Sequence, residues 1–199
     1  MEKPMQIRIC DLRDGVTALG PGERYVIWTQ GCHRSCPGCM TPEGQSLEGG
    51  TLMDTGDLAR KILASGREGI TVSGGEPFLQ AQALAELIGV LRQQRNLGVI
   101  VYTGFTLEQL RRQQDPHVDA LLRACDLLID GEYVEALNDG GSLRGSSNQR
   151  AIPLTDRYRK DLALYGAPER RIQIVFSEDS ATVIGVPGRD LLDRFRRFF

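Results

Sequence analysis

The chain has 199 residues, 41% hydrophobic and 25% charged, which suits one compact domain with a real core and excludes disordered, collagenous and disulfide-dense secreted classes. With 24 Lys and Arg against 26 Asp and Glu the net charge is −2, so nothing global favours a nucleic-acid or anionic-membrane partner. No apolar run approaches the ~18 residues of a bilayer span, and Met1-Glu2-Lys3-Pro4 lacks a signal-peptide core, so a cytoplasmic protein is expected.

Residues 5–10 alternate as a short strand, and Arg24-Tyr25-Val26-Ile27-Trp28-Thr29 is a second run of β-formers. A turn-rich stretch from Asp14-Gly15 to Gly20-Pro21-Gly22 separates them. Residues 30–50 hold too many glycines and prolines for regular structure and form a candidate functional loop. Asp54 or Thr55 caps a helix carrying Leu58, Ile62 and Leu63 on one face, and Gly66 stops it. The strand Gly69-Ile70-Thr71-Val72-Ser73 runs into Gly74-Gly75-Glu76-Pro77 and a helix with Leu84, Leu87, Ile88 and Leu91. Val99-Ile100-Val101-Tyr102-Thr103 leads to a helix near Thr106, where Thr106-Leu107-Glu108-Gln109 reads as a capping box. Cys125-Asp126-Leu127-Leu128-Ile129-Asp130 is a further buried strand, residues 138–150 are polar and Gly/Ser-rich, and residues 189–199 read as an amphipathic helix docked on the sheet.

Strand and helix patterns alternate, which predicts an α/β fold with a mostly parallel sheet. A closed eight-unit barrel takes about 250 residues, so five to six units would leave a partial, open β/α barrel as a single domain over residues 1–199. Ligands of such sheets sit at the carboxyl ends of strands. The Cys loop, Gly74-Gly75-Glu76, Thr103-Gly104 and Asp130-Gly131 all fall there.

Three of the five cysteines crowd into Cys32-x3-Cys36-x2-Cys39, which suits metal binding in a reducing compartment better than disulfides. Three thiolates in one loop can each bind an iron of a cubane, leaving one iron open to a small ligand. The same cysteines alone also suit structural zinc, with His33 or a remote residue as fourth ligand and no catalysis. Ser73-Gly74-Gly75-Glu76-Pro77 is explained locally by a turn and a proline opening a helix; it also lets a ligand's polar head approach the backbone, with Glu76 facing an ammonium group. Cys10 and Cys125 read as small buried hydrophobes, Trp28 as core, and His117 as exposed in a charged connection.

Cys32-x3-Cys36-x2-Cys39 followed by Gly74-Gly75-Glu76-Pro77 resembles the radical S-adenosylmethionine superfamily. More closely, the chain resembles the small activating enzymes of anaerobic, class III ribonucleotide reductase. Gly20-Pro21-Gly22-Glu23-Arg24, Gln30-Gly31-Cys32, Pro42-Glu43, Gln80, Tyr102-Thr103-Gly104-Phe105, Asp130-Gly131-Glu132-Tyr133 and Arg144-Gly145-Ser146-Ser147-Asn148-Gln149-Arg150 extend it over residues 5–187. The resemblance implies a 4Fe-4S cluster on Cys32, Cys36 and Cys39, with S-adenosylmethionine on the fourth iron. It implies that Gly74, Gly75 and Glu76 hold the methionine ammonium, and that Thr103 and Asp130 line the cofactor pocket. It further implies hydrogen abstraction from a glycine of the reductase, with reduced flavodoxin or ferredoxin as donor. Arg144, Ser146, Asn148 and Arg150 would help admit the partner's glycine-bearing loop. Met40-Thr41 replaces the usual His-Asn after the third cysteine, so a radical enzyme with another protein, peptide or small-molecule substrate is the alternative within the superfamily.

Overall fold

A computed structural model describes residues 5–168, 170–176, 181–188, 191 and 194. The expected terminal helix over 189–199 lies outside the described residues except for Leu191 and Arg194. The strands are β1 (Gln6–Val16), β2 (Arg24–Thr29), β3 (Thr51–Asp54), β4 (Gly69–Gly74), β5 (Gly98–Tyr102), β6 (Leu127–Asp130), β7 (Arg150–Pro153), β8 (Gln173–Phe176) and β9 (Ala181–Ile184). The helices are α1 (Thr55–Ser65), α2 (Ala81–Gln94), α3 (Leu107–Arg112) and α4 (Pro116–Ala124).

Seven strands form one sheet in the order β3-β1-β2-β4-β5-β6-β7, and β8 and β9 make a separate antiparallel hairpin. The central pairs β2–β4, β4–β5 and β5–β6 are parallel, whereas β1 and β3 at one side and β7 at the other run antiparallel. The sheet is therefore mixed α/β with a parallel centre. It has three parallel crossovers, fewer than the five to six units expected, because both flanks are completed by antiparallel strands.

The parallel strands read as unbroken apolar runs because both their faces are covered. On β5, Val99 and Val101 join the main core with Leu58 and Ile62 of α1, Leu84, Leu87, Ile88 and Leu91 of α2, and Leu121 of α4. Ile100 points the other way, to Leu127, Ile129 and Tyr158. Helix ends follow local chemistry: Asp54 accepts from the backbone N–H of Gly56 and Asp57, and Gly66 closes α1 in the left-handed conformation. The capping box at Thr106 is present, Thr106 Oγ1 accepting from Gln109 N at 3.2 Å and Gln109 Oε1 from Thr106 N at 2.8 Å. The helix expected from Pro77 begins as a 3₁₀ turn, Pro77–Gln80, before α2.

Other expectations change. β1 continues through Asp14-Gly15, accommodated by irregularities between Ile9 and Asp11 and between Arg13 and Val16. His117 is exposed but sits in α4, whose N-cap is Asp115 and whose first residue is Pro116. Arg24 is almost fully buried at the amino ends of the strands, donating to Thr71 Oγ1, Tyr158 Oη and the carbonyls of Pro21, Ile70 and Gly98. No helix among the described residues is long and apolar enough to cross a membrane.

Candidate cofactor and cluster site

The loop after β2 is fastened to the carboxyl end of β4 by main-chain bonds: Gly75 N donates to Thr29 O (2.7 Å), and Glu76 N donates to Gly31 O (2.8 Å). Within the loop, Gly31 N donates to Gly44 O and Cys32 N to Gln45 O, which folds residues 31–45 back on themselves. Gln30, nearly fully buried, donates through Nε2 to Glu43 O and Ser46 O. Gln80 clamps the base, donating to Arg8 O and Gln30 O and accepting from Arg8 N.

This packing explains the two glycines. A Cβ on Gly75 would come within 2.3 Å of Gly31 O and 2.7 Å of Gly44 O, and one on Gly74 within 2.5 Å of Thr29 N. The room left by the missing side chains is filled by the chain's own backbone, while residues 73–75 still line the cavity beyond. Glu76 is 2% exposed. Its Oε1 accepts from Thr103 Oγ1 (2.7 Å) and Phe78 N (3.1 Å), and its Oε2 from Gly104 N (2.8 Å), which joins the ends of β4 and β5. Burial pushes its pKa up, against the opposing pull of these hydrogen bonds and of Arg34.

Cys32, Cys36 and Cys39 line one cavity of about 630 Å³, within the ~300–1,000 Å³ typical of small-molecule sites. Glu76, Thr103 and Gly104 form part of its floor. Burial raises the Cys32 thiol, and burial with a hydrogen bond from Cys36 Sγ to Glu132 Oε1 (3.4 Å) raises Cys36 to about 11. Both are raised further by Cys39, and Cys36 also by Cys32, so the three sulfurs share one electrostatic environment. Cationic iron would reverse that mutual repulsion, and the thiol set therefore fits a cluster. Among the described residues, no three His, Cys, Asp or Glu side chains gather closely enough to hold a single ion. A cubane asks for less convergence, because each thiolate binds a different iron. Arg34, between the first two cysteines, lies 4.6 Å over the Phe105 ring and 3.4 Å from Glu132, bracing the loop against the end of β5.

One residue expected in the pocket sits outside it. Asp130 is fully buried and is not among the cavity residues: its carboxylate accepts from Leu107 N (2.7 Å), at the start of α3, and from Arg150. Capping a helix and pairing with a strand accounts for it. In the 144–150 loop, Gly145 and Gln149 reach the cavity, whereas Arg144, Ser146, Asn148 and Arg150 do not. Arg144 pairs with Asp139 (2.6 Å), fully buried Ser146 accepts from Val134 N, Asn148 donates to Glu132 O, and Arg150 pairs with Asp130 and Glu108. These contacts tie the loop to neighbouring segments, with Asn148 and Arg150 exposed on its surface.

Conversely, Cys10 and Trp28 are only partly buried and line the cavity, unlike fully buried Cys125. Tyr102 and residues 181–186 complete its walls. No local motif announced the last of these, since they come from a hairpin distant in sequence.

Residues 18–152 match the family described as a 4Fe-4S single cluster domain. An anaerobic ribonucleoside-triphosphate reductase-activating protein of Salmonella typhimurium is 32% identical over 141 residues, spanning 65% of this chain and 88% of the relative. The protein of that name from Vibrio cholerae is 34% identical over 140 residues, spanning 65% and 87%. A pyruvate formate-lyase 1-activating enzyme of Escherichia coli is 30% identical over 145 residues, spanning 68% of this chain and 56% of the relative.

Proposed function

Because the chain belongs to the 4Fe-4S single cluster family and, within it, to the anaerobic ribonucleoside-triphosphate reductase-activating proteins, we propose that its substrate is a glycine of an anaerobic ribonucleotide reductase. It is a radical S-adenosylmethionine enzyme that uses a 4Fe-4S cluster to activate a glycyl-radical enzyme. The observation that carries the site is the placement of Cys32, Cys36 and Cys39 around the cavity bounded by the ends of β2, β4 and β5.

A cluster held by Cys32, Cys36 and Cys39 would, when reduced, supply the electron for cleaving bound S-adenosylmethionine and with it the radical chemistry that reaches glycine. Cys32, Cys36 and Cys39 are assigned to three irons. Gly74, Gly75 and Glu76, lining the cavity, are assigned to the methionine ammonium. Glu76 stands in the same lining, and by accepting from Thr103, Phe78 and Gly104 it also fixes two strand ends. Trp28, Leu19 and Tyr102 give the cavity apolar walls that keep water from a reactive radical.

Met40 and Thr41 line the same cavity, so the departure from His-Asn changes its wall rather than the sulfur ligands. The open sheet is read as a partial β/α barrel within one domain over residues 1–199, working in the reducing cytoplasm. A flavodoxin or ferredoxin is the proposed electron donor. The test is anaerobic: the reconstituted, reduced protein is mixed with S-adenosylmethionine, with and without the reductase, and 5′-deoxyadenosine is measured alongside the paramagnetic resonance of the reductase. Cleavage with a glycyl doublet is expected. Cleavage without a doublet would move the enzyme to another substrate, and an intact cluster that cleaves nothing would overturn the reading.

A further inference from the structure

We infer that β9 is a docking edge along which an extended, glycine-bearing segment of the partner enzyme pairs main chain to main chain, beside the three cysteines; this rests on the activase reading above. Residues 181–186 form one wall of the cavity that Cys32, Cys36 and Cys39 line. They lie beyond residue 152, where the family match ends. Among the described residues β9 pairs with β8 alone, and no hydrogen bond joins residues 181–186 to any group outside that hairpin.

A strand with one free edge presents a row of unpaired N–H and C=O groups, which is a template for an extended chain. Among the described residues the outer strands of the large sheet, β3 and β7, also have a free edge, but neither lines the cavity. Radical abstraction works at contact distance, so a protein substrate must bring its glycine inside. The wall it meets is Ala181, Thr182, Val183, Ile184, Gly185 and Val186, with no charged side chain, which leaves the main chain as its chief recognition element. A glycine suits such an edge, since no side chain stands between it and the cavity.

The edge is held in place before any partner arrives. Ile184 packs on Val16, Ala18, Leu19 and Val26, and Gln173 of β8 accepts from Thr17 N (3.0 Å) while donating to Gly15 O (3.3 Å). Preformed geometry of this kind lowers the ordering cost of docking.

Amide hydrogen exchange of the reconstituted holoprotein, alone and with the anaerobic reductase, tests the inference. Alternate amides of β9, those turned away from β8, are expected to slow about tenfold or more in the complex, with Thr51–Asp54 of β3 unchanged. Protection at β3 instead, or glycyl-radical formation with β9 exchange unaltered, would overturn the docking edge and leave the activase reading standing. Neither complex nor glycyl radical would overturn both. Gln173→Ala loosens the hairpin from outside the cavity, and should raise the KM for the reductase about fivefold while partner-free release of 5′-deoxyadenosine stays the same. An unchanged KM would count against the inference.

Discussion

Glu76 sets two opposing effects against each other on one carboxylate. Removal from water favours its neutral form, whereas Thr103 Oγ1, Phe78 N and Gly104 N all donate to its charged form. Burial wins, so its pKa in the folded chain lies above the ordinary 4.5. The folded protein then binds that proton more tightly than the unfolded chain does. This contribution to stability is full below 4.5 and is lost as pH rises through the raised value. Glu76→Gln removes the titration but turns an NH₂ toward donors, at a cost of about 2 kcal/mol. Urea unfolding of the metal-free protein at pH 4 and pH 7 should show wild type ahead of Glu76→Gln by more at pH 4. A gap that grows toward pH 7 would mean that the three donors outweigh burial. The sequence announces Glu76 as functional through its Gly-Gly-Glu-Pro setting. That the carboxylate also ties the end of β4 to the residues after β5 depends on Thr103 and Gly104, more than 25 positions away.

Between elements, Asp130 carries a comparable load. From the end of β6 it caps the first residue of α3 and pairs with Arg150 at the start of β7, holding three elements with one side chain. Asp130→Ala strands Leu107 N and one side of a guanidinium that is 47% exposed, so solvent absorbs part of the loss and about 2 kcal/mol is expected. Denaturant midpoints should fall accordingly, with iron content after reconstitution unchanged because Asp130 stands outside the cavity; lost iron would return it to the cofactor site. Elements with strong local signals were legible in the sequence: β2, β4, β5, β6, α1 with its Asp54 cap and Gly66 stop, and the capping box of α3. The omissions share a physical cause. β3 has four residues with Thr51 and Leu52 exposed, and β7 emerges from a polar loop and ends at Pro153, so their strand state comes from pairing with β1 and β6 rather than from an apolar pattern. The β8–β9 hairpin is equally short and non-local. α4 did carry a local sign, Asp115 capping and Pro116 at the first position, which reads as a connection only if the apolar face of Val118 and Leu121 is overlooked.

At the scale of the whole molecule, catalysis depends on how a cysteine-bearing loop is pressed onto a parallel sheet. The cysteine spacing was visible because it is local. The press is not, because it joins Gly75 after β4 to Gly31 and Gly44 in the loop, and only backbone crowding reveals it. Gly75→Ala tests this coupling. A methyl group 2.3 Å from Gly31 O and 2.7 Å from Gly44 O meets main chain, which cannot rotate aside as a long side chain would. Either the loop lifts from the strand, stretching the bonds Gly75 N to Thr29 O and Glu76 N to Gly31 O, or β4 shifts within a core where Ile70 and Val72 are fully buried. The core is the stiffer of the two, being close-packed on both faces of the strand, so the loop is expected to move. A stability loss of about 2 kcal/mol follows from the overpacking. The larger consequence falls on Cys32, one residue after Gly31, whose displacement relative to Cys36 and Cys39 spoils the ligand set. Reconstituted Gly75→Ala should retain far-ultraviolet dichroism yet hold markedly less iron and sulfide than wild type, whereas Gly89→Ala, on α2 with nothing within 4 Å of its added Cβ, should load normally. Equal iron in both variants would show that the loop does not need its seat on β4 to gather the three thiolates.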